Sequence, residues 1–267
     1  SLCRAQDVHR PGGHVAGAAR ATRDERRVVF DGGTIVRQGA RELHSERLQL
    51  IFNPETDAID RAAAIEDVDL RVGPGAPMPG MAASEGGEKR LRCRKLQVFF
   101  RARGILSEAT AVNPASLEVL PGRRDAQERR LLETDLLHFV FDEEGRLTSL
   151  NAIGGGPMAR RTVVTTTPLG GRPGPSRRAE SQSLVATLDP LSGAVREATF
   201  LENVTFTEPG RKAWAGRAVF DEASGRVTLT EDPRIVDEGE GSELRARRIA
   251  LGTRSRSVSA SGNVRHT

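Results

Sequence analysis

Tyrosine is absent from the 267 residues, tryptophan occurs once, at Trp214, and aromatics make up 4% in all. A stacking platform for single-stranded nucleic acid or for sugar rings is therefore poorly provided for. Cysteine is as scarce: Cys3 and Cys93 are the whole supply, too few for a disulfide framework. No run approaches the roughly 20 apolar residues that a helix needs to cross a bilayer. Amphipathic helical periodicity is missing too. The one stretch that could pass for a helix by composition, 126–141, carries its apolar residues at strand spacing. Charge of one sign is not concentrated, because the net charge is +4 and arginine alternates with glutamate and aspartate along the chain. That pattern argues against a nucleic-acid partner.

Catalytic signatures are lacking as well. Neither a G-x-S-x-G elbow nor a phosphate-binding loop occurs. The histidines His9, His14, His44, His138 and His266 are scattered, and the spacing of His9 and His14 from Cys3 fits no usual zinc arrangement. His138 falls on the strand face opposite the apolar line and reads as solvated. Acid pairs such as Glu143-Glu144 and Glu231-Asp232 read as turn residues. The expectation is a non-enzymatic protein with no cofactor and no metal.

What the chain has is a recurring phrase: an apolar residue, a small one two places on, and an apolar one three places later. It reads Leu43, Ser45, Leu48; Leu91, Cys93, Leu96; Leu132, Thr134, Leu137; Ala179, Ser181, Leu184; and Leu244, Ala246, Ile249. Weaker copies sit at Val15, Gly17 and at Trp214, Gly216, Val219. Between them runs a second line with offsets of two, four and two, as in Ala62, Ala64, Val68, Leu70 and in Ala198, Phe200, Val204, Phe206. The segment from Gly17 also aligns with that from Gly216 with only small gaps. Such self-similarity is the mark of a stacked supersecondary unit.

In an extended strand Leu43 and Ser45 share one face, whereas Leu48, Leu50 and Phe52 fall on the other. A slip repeated in every copy implies a repeated bulge or bend. The expectation is an all-β, elongated, open jellyroll of stacked, bent antiparallel strands, with two facing sheets, an apolar trough between them and polar walls. Seven rungs at about 4.8 Å would give a trough about 35 Å long. One continuous domain over 14–267 is expected after a flexible segment at 1–13. Gly/Pro-rich stretches at 73–88 and 154–176 read as inserted loops, the second with a strand candidate at 162–167; they could also divide two fused halves, 14–153 and 177–267.

The trough lining is expected from Leu48, Leu50, Phe52, Leu96, Val98, Phe100, Leu137, Phe139, Phe141, Leu184, Phe200, Val204, Phe206, Phe220, Leu229, Ile249 and Leu251. Arg47, Lys95 and Arg248 share one slot of the repeat, where a line along the mouth could meet lipid phosphates. The bland reading of that line is a solvated charge ladder that discourages edge aggregation. Cys93 occupies the small slot, which suggests packing; pairing with Cys3 is the alternative.

The closing run, WAGRAVFDEASGRVTLTEDPRIVDEGEGSELRARRIAL followed by SGNV, resembles the OstA-like domain of the lipopolysaccharide-transport bridge proteins, LptA, LptC and the periplasmic part of LptD. The matching elements are G-x-A-x-F-D, V-T-L-T, D-P-x-I, S-E-L-R-A-R-R-I and S-G-N-V. They are clearest over 214–264, fair over 14–70 and only rhythmic between. The resemblance implies a β-taco that holds acyl chains of lipopolysaccharide between its sheets and passes them toward the outer membrane. It also implies periplasmic location, contact with other transport proteins through edge strands, head-to-tail self-association and no catalysis. A removed signal or an N-terminal anchor to the inner membrane would fit a chain that opens on Ser1. Length and the Gly/Pro-rich stretches depart from a single short bridge subunit. The competing reading is a structural or adhesive β-repeat protein whose core is packed shut; a carbohydrate-processing β-helix enzyme is more distant.

Overall fold

A computed structural model describes residues 14–74, 87–120, 128–155, 160–169, 176–253 and 257–267. The expected N-terminal segment 1–13, with Cys3 and His9, and most of the 73–88 stretch lie outside the described residues. The chain opens with His14–Gly17 (β1), Arg20–Arg23 (β2), Arg27–Gln38 (β3), Arg41–Phe52 (β4), Ile59–Val72 (β5), Lys89–Arg101 (β6), Ile105–Val119 (β7) and Glu128–Phe141 (β8). It continues with Leu147–Ile153 (β9), Thr162–Pro168 (β10), Arg177–Ser181 (β11), Ser183–Leu188 (β12), Val195–Glu208 (β13) and Arg211–Asp221 (β14). Arg226–Thr230 (β15), Arg234–Asp237 (β16), Ser242–Arg245 (β17), Arg248–Gly252 (β18), Val258–Ser261 (β19) and Arg265–His266 (β20) complete it. The stretch 126–141 that could pass for a helix is largely β8, because its apolar residues repeat at the strand period.

Every pairing is antiparallel and every long strand is bent, so its two halves serve two different limbs. In the first limb the ladder runs from β2 through the first half of β3, then β4, β5, β6, β7, β8, β9, β12, β13, β14, β15 and β18 to β19. In the second it runs from β1 through the other halves of the same long strands, with β10, β11, β16, β17 and β20 in place of the short ones. The molecule is thus an elongated all-β jellyroll of fourteen bent levels. At about 4.8 Å per level this makes it roughly 60 Å long.

The expected seven rungs and 35 Å fall short because each phrase contributes a hairpin of two strands, not one strand. Within the insertion at 154–176 the strand candidate at 162–167 is β10: Val163 to Pro168 pair with β8, and its neighbour β11 pairs on with β13, so the segment carries a full level of the second limb. The ladders cross from 14–153 to 177–267 without a gap.

The bend has a two-sided cause. On one strand, four residues separate the apolar residue below the corner from that above it, as in Ala64 to Val68; on its partner the step is three, as in Leu96 to Cys93. The pairing therefore shifts register there, between Ile65 and Val68 of β5 opposite Lys95 and Cys93 of β6. The extra residue forms a bulge. Left-handed residues absorb it: Gly32 and Gly33, Glu66 and Asp67, Asn113, Glu202 and Asn203, Glu231 and Asp232, then Gly262 and Asn263. Short polar side chains and glycine tolerate that conformation best. Gly216 faces one such corner, where a Cβ would lie 2.6 Å from the Glu231 Cβ.

Candidate functional site: the trough between the limbs

Down the first limb one inner ladder links Ala21, Phe30, Leu48, Ala64, Leu96, Ala111, Leu137, Ala152, Leu184, Phe200, Ala218, Leu229, Ile249 and Ala260 across all fourteen levels. A second, two residues nearer the mouth, links Val28, Leu50, Ala62, Val98, Ala109, Phe139, Leu150, Ala186, Ala198, Phe220, Val227, Leu251 and Val258. No titratable group stands within either line, and the second ends where Arg23 of β2 faces Val28. Because strand side chains alternate between faces, all of these share the inner side.

The expected lining residues stand in these two ladders or beside them. Phe52, Phe100 and Phe141 occupy the lip of the first limb, where Phe100 opposes Leu106 and Phe141 opposes Leu147. Val204 lies at the corner and Phe206 in the second limb. Burial deepens from the mouth inward: Leu137, Leu229 and Ile249 of the first ladder are 0% exposed, while Leu50, Val98, Phe220 and Leu251 of the second are half-buried.

Of the facing wall, sequence reasoning named Phe206 alone. There Val36, Leu43, Leu70, Leu91, Leu117, Leu132, Val164, Ala179, Phe206, Ala213, Ile235 and Leu244 form a matching ladder. These residues belong to the same core as the first limb. They were available in the recurring phrase itself, whose first apolar member feeds one wall and whose last feeds the other. The copy assigned to Trp214, Gly216 and Val219 is one residue out of phase. Ala213, Ala215 and Ala218 are the buried members, and Trp214 faces outward with the Arg234 guanidinium 4.2 Å from its ring centre. Alanines gave too weak an apolar signal beside a tryptophan.

The small slot forms the apex seam. Ser45, Cys93, Thr134, Ser181, Ala215 and Ala246 are all buried along it. The first five of them pair with Thr34, Val68, Ala115, Thr162 and Val204, and the Thr134 and Thr162 hydroxyls are bonded at 3.0 Å. Close approach of the two limbs leaves no room for larger side chains. Desolvation pushes the Cys93 thiol up to about 12, which makes it an unreactive packing residue.

The expected phosphate contacts are placed elsewhere than at a mouth. Arg47, Lys95 and Arg248 do share a line, but it runs along the outer face beside the corner. Arg47 is ion-paired with Asp31. Lys95 lines an outer recess with Gln49 and Gln97, and Arg248 an outer groove of about 960 Å³ with Arg217 and Ser259. The one-residue alternation explains this, since each precedes an inward Leu48, Leu96 or Ile249. His138 also faces out, 3.5 Å from Glu108, and Glu231-Asp232 turn the chain at a corner between β15 and β16.

A second feature went unread: in five copies, though not at Leu244, a cation stands two residues before the first apolar member. Arg41, Lys89, Arg130, Arg177 and Arg211 precede Leu43, Leu91, Leu132, Ala179 and Ala213, and share their inward face at the lip of the second limb. Val72 and Val119 stand between the first of them in the ladder. Lys89 is 5% exposed, and desolvation lowers its pKa. Arg177 pairs with Glu128, and Arg211 with Asp237 at 3.5 Å.

Among the described residues no three metal-ligating side chains come together, and no helix is long and apolar enough to cross a membrane. No protein-family model matches the chain, and no curated protein matches it either.

Proposed function

We propose that this protein carries an amphiphile by its acyl chains between the two limbs and passes it along the trough, as one component of a bridge between two membranes. The observation that carries this reading is the pair of apolar ladders, one unbroken over all fourteen levels and the other over thirteen. A core needs only enough apolar surface to close. A conduit needs that surface to be continuous from end to end. Each methylene moved from water into such a trough gains about 0.8 kcal/mol. Resemblance of 214–264 to the OstA-like domain suggests lipopolysaccharide as the cargo, the periplasm as the compartment, and LptA- or LptC-like proteins as partners. Catalysis has no part in it.

Burial of Leu137, Phe139 and Phe141 at 0%, 5% and 5% favours a second reading, a structural β-repeat protein with a closed middle. Photoreactive residues at Phe52 and Phe139 separate the two. The transport reading expects lipid adducts at both positions in cells, and acyl lipid in organic extracts of the purified protein by mass spectrometry. Absence of lipid from both assays leaves the structural reading standing.

A further inference from the structure

The lip of the second limb repeats a cation at alternate levels, and the opposite lip is apolar. Arg41 lies on β4, Lys89 on β6, Arg130 on β8, Arg177 on β11 and Arg211 on β14. In the ladder order β4, β5, β6, β7, β8, β10, β11, β13, β14, each is two levels from the next. At about 4.8 Å per level the cations recur about every 10 Å.

We propose that this row is an anion rail: it holds phosphate groups on the head of an amphiphile whose acyl chains lie in the trough. The inference rests on the acyl-chain reading and adds the head-group chemistry to it. Three observations carry it. The row shares its strand face with the second-limb ladder, so one molecule can meet both. Its chemistry is one-sided, because the first-limb lip offers Phe52, Phe100, Phe141 and Leu188, which fixes which way the head points. Charge is held at the lip without full internal neutralisation: Arg130 is exposed, and among the described residues no acidic side chain is hydrogen-bonded or ion-paired to it. Guanidinium groups suit phosphate because they offer paired donors in one plane. Regular spacing lets a head group move from one cation to another two levels on, with no site deep enough to trap it.

The test uses the whole chain and three probes: diphosphoryl lipid A, monophosphoryl lipid A and an uncharged diacylglycerol. Each competes with a fluorescent fatty acid, at low and at high salt. The wild type is expected to bind the diphosphoryl form about tenfold more tightly than the uncharged lipid, a preference that shrinks with salt. Arg130→Gln, and Arg41→Gln with Arg130→Gln, should erase most of that preference and leave the uncharged lipid unaffected, with an unchanged β-sheet circular dichroism spectrum. Arg47→Gln on the outer face should keep the preference in full. Equal binding of all three lipids by the wild type, or a preference that survives the rail variants, overturns the rail while the acyl-chain reading stands. Failure of all three probes to displace the fatty acid overturns both.

Discussion

Leu137 and Ala152 show how single side chains fill the interior. They are paired across β8 and β9, and neither is exposed. The same large-small alternation runs through Leu48, Ala64, Leu96 and Ala111, so leucine from one level fits over alanine of the next. Leu137→Ala should lower stability by about 3 kcal/mol through the cavity it leaves. Ala111→Leu should cost about 2 kcal/mol by overpacking. Urea unfolding followed by circular dichroism checks both, and equal stability of either variant would show that the interior is loose. Charge adds a pH dependence at this scale. Burial alone would raise the Asp69 pKa, but hydrogen bonds from Arg90 and Arg71 overcome it and hold the carboxyl at about 2. Glu42 is held at about 2 by His44 and Arg37. Both are depressed below their unfolded values, so their contribution is complete above about pH 4.5 and is lost as pH falls toward 2. The thermal midpoint should therefore drop over that window, and Asp69→Asn should flatten the drop. A midpoint that is constant from pH 5 to pH 2 would rule this out.

At the level of the element, the corner decides the shape. A four-residue step on one strand against a three-residue step on its partner was present in the sequence, as was the repeated change of phase. Which residues absorb the difference was not evident, because Glu66-Asp67 and Glu202-Asn203 look like ordinary polar positions in a strand until their positive φ values are seen. Asn203→Gly should be neutral or stabilising by up to about 1 kcal/mol, whereas Asn203→Val should cost about 2 kcal/mol, since a branched side chain resists the left-handed region. Gly216→Ala should also destabilise, because its Cβ would meet the Glu231 side chain at a corner that the Gly216 N–H, donating to the Glu231 carbonyl, holds close. Thermal unfolding of the three variants checks the set. Hairpin turns were easier to read: Asp142, Asp189 and Asp221 each accept backbone N–H groups within their own turns, which is the reason aspartate begins such turns.

Across the whole molecule, the two ends differ from the middle. Among the described residues β2 and β19 have a partner on one side only, and Val258 and Val264 are 39% and 52% exposed. Open edges of this kind add strands, and one end meeting the other would extend the trough without limit. Concentration-dependent association is therefore expected in sedimentation experiments. Neighbouring N–H groups along β19 point in alternate directions, so proline at one of Ser259 and Ala260 should abolish that association. A monomer at all concentrations would refute end-to-end growth.

The recurring phrase by itself determined the class of fold, the bend and the apolar character of one wall, because strand parity and offset are local quantities that need no partner. Tertiary pairing decided the rest. It showed that one phrase serves two limbs, doubled the number of levels, moved Arg47, Lys95 and Arg248 to the outer face, and gathered five cations from distant strands into one lip. Such positions are set by which strands become neighbours and where each bulge resets the alternation, and neither is fixed by any one stretch of chain.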